Sequence, residues 1–474
     1  MQVAFCTVEM TPLAKVGGLA DVAGSLPKAL RHRGIDVRVV MPRHRSVDLE
    51  LLGARRVAGP VSLHRGCEAT LWQAQVDGVP CYLIDCPPLF DREQVYGYPD
   101  DADRWLMFSD AILALLPRTG WQPDVLHVHD WHPAFCFTRL VAAEHPLAEA
   151  ARAYTIHNLS IHGGFGQEFV RNYDLPDEAF PTDLPASPYS GMAQGILWAD
   201  RITTVSPSYA REILTPEYGA GMDSLLRPRS DVLQGVLNGI DVDELDPDRD
   251  PALPSHYDVE RWQRRRGNTV ELRRRMGLAA TDLPLVGMVS RLFPQKGVDL
   301  AAEAMRPMLA ARRLQVVILG SGGEQDEALV RDLARDFPGY AAVETGFNAA
   351  LAQLIYGGGD IFLMPSRFEP CGLGQMIAMR YGAVPVVRRT GGLADTVLDV
   401  NKDPTHGTGF VFDEATGDAC RHALERALVA WGTPAWAEIV RSGMRRDFSW
   451  NNTAGTYAEM YAAAVSARGA RAPR

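Results

Sequence analysis

Cysteine is scarce and never paired. Seven are scattered singly between Cys6 and Cys420, with no Cys-x-x-Cys among them. That argues against a zinc site or a disulfide framework and predicts free thiols in a reducing cytosol. Positive charge is also short: a formal net charge of −10 excludes a chain built to coat nucleic acid or an anionic membrane, since either needs a basic field over much of the surface. No stretch approaches the roughly 20 apolar residues of a membrane-spanning helix. The first residues run straight into a motif at Glu9, leaving no room for a charged region, an apolar region and a cleavage site, nor for a plastid transit peptide. The expectation is a cytoplasmic protein of bacterial type, without a nucleic-acid or membrane partner. Repeats of solenoid period and low-complexity tracts are absent too.

What is present is ordinary globular composition, 46% hydrophobic and 22% charged over 474 residues, a length that suggests two or three domains. Short apolar runs bounded by turn residues recur at 37–41, 125–128, 202–205, 285–289, 316–319, 361–364 and 384–387. Helical stretches lie between them. Continuous apolar runs are the pattern of strands buried on both faces, so the fold class is α/β, with two doubly wound parallel sheets. Between residues 243 and 283 the alternation breaks, with Asp-Pro-Asp-Arg-Asp-Pro followed by two arginine-rich stretches. This segment reads as a solvated, partly helical connection. Residues 453–466 form an alanine-rich helix with Tyr457 and Tyr461 on one face. The expected division is therefore a first Rossmann-like domain at 1–242, the connection at 243–283, a second Rossmann-like domain at 284–446, a C-terminal helical segment at 447–466, and a frayed tail at 467–474.

In open α/β sheets ligands sit beyond the carboxyl ends of the strands, and the unusual residues cluster there. After the first strand comes Glu9-Met-Thr-Pro-Leu-Ala-Lys15-Val-Gly17-Gly18-Leu-Ala-Asp21. It is either a plain strand-to-helix turn with a surface lysine or a place where backbone and cation approach a phosphate. Arg291 and Lys296 share a loop after the run at 285–289; such a pair suits a diphosphate, and equally suits a solvated surface. Thr390-Gly391-Gly392 is a second candidate phosphate cradle. Gly320-Ser-Gly-Gly lacks the third glycine of a dinucleotide fingerprint and reads as a tight turn. The segment Pro365-Ser-Arg-Phe-Glu369-Pro-Cys371-Gly372-Leu373 places an acid at a strand end, suited to sugar hydroxyls or to a positive anomeric centre, with a helix cap as the plainer alternative. His127, His129, Asp130 and His132 invite a metal reading, but their spacing matches no zinc signature. Asp130 is better suited to a sugar pocket. His157 and Asn158 follow another strand.

Taken in order, Lys15-Val-Gly-Gly-Leu, His129-Asp-Trp-His, His157-Asn, Asn238-Gly-Ile-Asp, Ser290-Arg-Leu, Gln295-Lys-Gly, Pro365-Ser-Arg-Phe-Glu-Pro-Cys-Gly-Leu, Thr390-Gly-Gly-Leu and Phe448-Ser-Trp-Asn resemble the bacterial glycogen synthase and starch synthase family of retaining glycosyltransferases. The resemblance implies a GT-B fold, two Rossmann-like domains facing across a cleft, with the C-terminal helix crossing back to the first. It implies ADP-glucose as co-substrate, glycogen or another α-1,4-glucan as acceptor, and no metal or other cofactor. Carried over residue by residue, Arg291 and Lys296 hold the diphosphate and Thr390, Gly391 and Gly392 donate to it. Lys15, Gly17 and Gly18 meet the donor from the other domain. His157, Asn238, Glu369 and the backbone of Cys371, Gly372 and Leu373 surround the glucose, with Asp130, Asp21 and Tyr96 nearer the acceptor. Many retaining relatives carry a second acid eight residues after the first; here that position is Ile377, with Gln375 nearby. The rival readings are a glucosyltransferase using UDP-glucose or a different acceptor, and a binding scaffold without turnover.

Overall fold

Strands form here where β-branched and aliphatic residues run uninterrupted, and the helices between them bury one stripe against the sheet. The computed structural model describes residues 1–471. Its chain sorts into two α/β units: Met1–Gly239 together with the chain from Trp450 onward, and Ile240–Ser449.

The first unit contains β1 (Gln2–Cys6), β2 (Asp36–Pro42), β3 (Arg55–Ser62), β4 (Glu68–Val76), β5 (Val79–Asp85), β6 (Val125–His129), β7 (Ala151–Ile156), β8 (Arg201–Thr204) and β9 (Leu233–Gly235). Their order in the sheet is β3-β4-β5-β2-β1-β6-β7-β8-β9. From β5 to β9 neighbouring strands are parallel, whereas β3 and β4 add an antiparallel edge. That edge is absent from the sequence reading. β4 alternates buried and more exposed residues and β3 is largely exposed, so neither carries the continuous apolar run of a strand buried on both faces. Helix Gly18–His32 buries Leu19, Val22, Ala23, Leu26 and Leu30, one stripe at helical spacing.

Helix Trp450–Arg471 closes this unit. Trp450, Ala454, Tyr457, Tyr461 and Ala464 recur every three or four residues, and all join the hydrophobic cluster that contains Val3 and Phe5 of β1 and Val125 of β6. Residues 467–471, expected to fray, continue the helix, helped by the Arg468 guanidinium donating to the Ala148 carbonyl; residues 472–474 of that expected tail lie outside the described residues.

The second unit contains β10 (Leu285–Val289), β11 (Gln315–Gly320), β12 (Ala341–Thr345), β13 (Ile361–Met364), β14 (Val384–Arg388) and β15 (Phe410–Phe412). All are parallel, in the order β12-β11-β10-β13-β14-β15. Ranked within the unit this is the doubly wound dinucleotide-binding order.

Residues 243–283 are not a solvated connection but part of this unit. Tyr257 is fully buried and its hydroxyl donates to the Tyr381 carbonyl at 2.8 Å. Arg265, also buried, donates to the carbonyls of Gly359 and Tyr356, which end the helix Ala349–Gly358. An arginine run usually means solvated surface, yet one member of this run satisfies orphan helix carbonyls inside the fold. All seven cysteines are free. Among the described residues no helix is long and apolar enough to cross a membrane.

Candidate active site

In the first unit the strand order turns between β1 and β6, and the loops beyond their carboxyl ends carry the expected residues. Glu9 organises the loop after β1. It is 3% exposed; Oε2 accepts the amides of Val16 at 2.6 Å and Gly17 at 2.8 Å, and Oε1 accepts the Tyr96 hydroxyl. A carboxylate three residues past a buried strand is the sequence signal that marks it. Lys15 pairs with Asp21 at 2.5 Å, both partly exposed. At Gly17 the backbone is extended (φ −144°), and a Cβ there would meet nothing within 4 Å. The protein itself does not require that glycine.

After β6 and β7, Asp130 adopts φ 58° and accepts the amides of His157 at 2.7 Å and Asn158 at 3.3 Å. Burial pushes its acid up to about 7; the two amide donors oppose the rise and the Glu9 carboxylate adds to it. His157 is buried, and desolvation lowers it to about 3, so the ring is neutral. Its Nε2 lies 2.9 Å from Nδ1 of His129. Tyr96 is half-buried, and His132 stacks on one face of its ring with the centres 4.9 Å apart. Asn238 is 5% exposed, and its buried Oδ1 has no hydrogen-bond partner among the described residues. Such a group is costly unless a ligand satisfies it.

In the second unit the order turns between β10 and β13. The turn Pro294–Lys296 ends at Gly297, with φ 66° and a Cβ position only 2.2 Å from the Pro365 carbonyl. Only glycine fits there, and it presses the β10 loop onto the β13 loop. Lys296 Nζ thereby reaches Glu369 Oε2 at 2.6 Å, an oxygen that also accepts the Ser366 hydroxyl at 3.0 Å. The two side chains are 15% and 6% exposed. Arg291 stands apart: it is exposed, and its guanidinium, 5.7 Å from the Phe293 ring centre, makes no ion pair or hydrogen bond among the described residues.

Gly391 and Gly392 have a packing reason that the sequence could not show. A Cβ on Gly391 would lie 1.9 Å from the Glu369 carbonyl, and one on Gly392 2.1 Å from that of Cys371. The Thr390 turn therefore rides on the Glu369–Cys371 backbone. Gln375 binds the two segments, its amide donating to the carbonyls of Cys371 and Gly372 and to the Thr396 hydroxyl. The structure thus gathers Glu369, Lys296, Cys371, Gly372, Leu373, Thr390, Gly391 and Gly392 into one assembly. At the carboxyl end of β12, Phe347 is 85% exposed, an aromatic that the motif search missed.

The histidine-rich stretch is tied into the fold at His127. Both nitrogens of His127 are hydrogen-bonded, to Tyr461 at 2.9 Å and Thr155 at 2.7 Å, and no group of three or more His, Cys, Asp or Glu among the described residues could hold a metal ion.

Two family profiles match the chain: the starch synthase catalytic domain over residues 2–228 and the group 1 glycosyl transferases over 283–430. Glycogen synthase 2 of Geobacter sulfurreducens is 44% identical over 99% of this chain and 100% of its own. Glycogen synthase of Moorella thermoacetica is 44% identical over 99% and 98%. The catalytic domain of starch synthase IV from Arabidopsis thaliana, solved with ADP and acarbose bound, superposes with a TM-score of 0.91 at 35% identity, covering 98% of this chain and 99% of that one. Sucrose-phosphate synthase from Thermosynechococcus elongatus shares the fold, with a TM-score of 0.60 at 18% identity. Identity of this order over nearly the whole of both chains, joined to the starch synthase profile over residues 2–228 and the close superposition on a starch synthase, means that the chain belongs to the glycogen synthase and starch synthase family of GT-B glycosyltransferases.

Proposed function

We propose that the chain transfers glucose from ADP-glucose to the non-reducing 4-hydroxyl of an α-1,4-glucan such as glycogen, with retention of configuration and release of ADP. The observation that carries the reading is the Lys296–Glu369 pair at the β10/β13 turning point. A cation there meets phosphate oxygens, while the carboxylate beside it meets sugar hydroxyls or positive charge at the anomeric carbon. Identity with glycogen synthases over the full chain, and likeness to a starch synthase solved with ADP and acarbose, support the same substrates.

In this mechanism the acceptor attacks from the face that the diphosphate leaves, through an oxocarbenium-like state. The departing phosphate takes the proton of the acceptor hydroxyl. Negative charge grows on the diphosphate, so Arg291 and Lys296 act chiefly in the transition state. Arg291, without an ion-pair partner among the described residues, needs to break nothing to do so. We propose that these two cations serve in place of a metal. Lys15 and the glycine at 17, where a Cβ would meet open space, serve the donor phosphates; the unsatisfied Oδ1 of Asn238 and the ring of His157 serve the glucose. Asp130, Asp21 and Tyr96 belong to the acceptor side. Seven free thiols fit a cytoplasmic location, and no nucleic acid or membrane is required.

The deciding experiment is transfer of labelled glucose to glycogen by the purified chain, with ADP-glucose and UDP-glucose compared in excess EDTA. Labelling from ADP-glucose despite the chelator is the expected result. Labelling only from UDP-glucose, or only after metal is restored, overturns the donor or the metal-free reading respectively.

A further inference from the structure

Behind the sugar-side cluster of the first unit lies a pair of buried histidines that no step of the proposed transfer uses. His127 and His129 share a face of β6, their ring centres 4.0 Å apart, and both are fully buried. Tyr461 and Thr155 satisfy His127. His129 is only half satisfied. Its Nδ1 meets His157 Nε2 at 2.9 Å, while its own Nε2 is buried without a partner among the described residues and the Phe5 ring lies 3.8 Å away, centre to centre.

That orphan nitrogen fixes the direction of the hydrogen bond. Burial lowers both rings far enough to keep them neutral, and a neutral imidazole carries one proton, on one nitrogen. Were His157 to donate from Nε2, His129 would carry its proton on its own Nε2, leaving a buried N–H with no acceptor. With His129 donating from Nδ1, the buried Nε2 is only a bare acceptor. Orphaned buried donors are the rarer case, so His129 donates. His157 then accepts at Nε2 and holds its own proton on Nδ1, a nitrogen with no hydrogen bond among the described residues.

We propose that His129 is a positioning residue that locks His157 as the Nδ1–H tautomer, so that His157 meets the sugar as a hydrogen-bond donor to an oxygen and not as an acceptor. The proposal rests on the assignment of His157 to the sugar site. A tautomer held in advance removes one rearrangement from the approach to the transition state.

The test uses the full chain labelled with 15N-histidine, in wild type, H129N, H129F and H157F, with kcat and KM for glucose transfer measured on each. H129N retains an amide donor near the place of Nδ1; H129F has none. The His157 signal, identified by its loss in H157F, is expected to show a protonated Nδ1 and a bare Nε2 in wild type and H129N. In H129F the tautomers mix and kcat falls about tenfold, the loss of one aligned hydrogen bond, while H129N stays within about threefold. A proton on Nε2 of His157 in the wild-type spectrum, which needs no variant to fold, overturns the proposal. So does full kcat in H129F. Full kcat in H157F removes His157 from the sugar site and the positioning role with it, whereas the nitrogen shifts report the tautomer independently.

Discussion

Lysine is the rarest cation in this chain: four residues, Lys15, Lys28, Lys296 and Lys402, against 44 arginines. Two of the four stand at the candidate site. Where the surface uses arginine by default, a lysine marks a place that needs a compact point charge rather than a planar fork. At Lys296 the reason is visible, since the ammonium is enclosed against Glu369 and Ser366. K296R is therefore expected to lower kcat at least tenfold although the charge is kept. K296A and E369A should each lower kcat about a hundredfold, the scale of a lost preorganised charged contact. Because each removes one half of the same ion pair, the double variant should lose about as much as either single one, not the product. A product of the two losses in steady-state assays would mean that the residues act independently. Asp130 supplies a test in pH. With its acid raised to about 7, the folded chain holds a proton that the unfolded chain releases near pH 4, so this group lowers stability as pH rises from about 4 through 7. D130N keeps an oxygen acceptor for the His157 amide and tolerates the positive φ; it should raise Tm relative to wild type more at pH 8 than at pH 5.

At the scale of elements, the two glycine-pair turns look alike in sequence and differ in physics. Gly391, with φ 42° and no room for a Cβ, is there because the Thr390 turn must lie on the Glu369 backbone. G391A should destabilise the second unit by about 1–3 kcal/mol in denaturant unfolding and lower activity with it. Gly17 has room and an ordinary extended backbone. G17A should leave unfolding within about 0.5 kcal/mol while raising the KM for ADP-glucose, and an unchanged KM would remove Gly17 from the donor site. The motif reading found both turns and the loops around Lys296 and Glu369, because strand-end loops with glycine and charge are legible from residue type alone. It could not separate a glycine needed for packing from one left open for a ligand, since that depends on a backbone elsewhere in the chain. The roles of Glu9 and Gln375 depend in part on distant backbone and side chains as well: Tyr96 and Thr396 lie 87 and 21 residues away. The parallel core was legible in its apolar runs, whereas β3 and β4 were not, being half exposed.

For the whole molecule, titration is lopsided. His44 is lowered to about 4 and His127, His132 and His157 to about 3 by burial, and all four lie in the first unit. Each is neutral when folded and takes a proton near pH 6.5 when unfolded, so their contribution is complete above about pH 6.5 and is lost as pH falls towards 3 or 4. Calorimetry at pH 7.5 and pH 5 should show the transition of the first unit falling further than that of the second. The chain path has a different consequence. Tyr461 meets His127 across 334 residues, and the core around β1 contains Trp450, Ala454 and Tyr457 from the final helix. On the ribosome, the portion made first therefore waits for a helix made after the whole of the second unit: residues 240–449 leave the exit tunnel while the first unit still lacks a wall of its core. A message broken near codon 449 would thus yield a product whose later half is sound and whose earlier half never closes, the reverse of the usual order in which N-terminal domains finish first during synthesis.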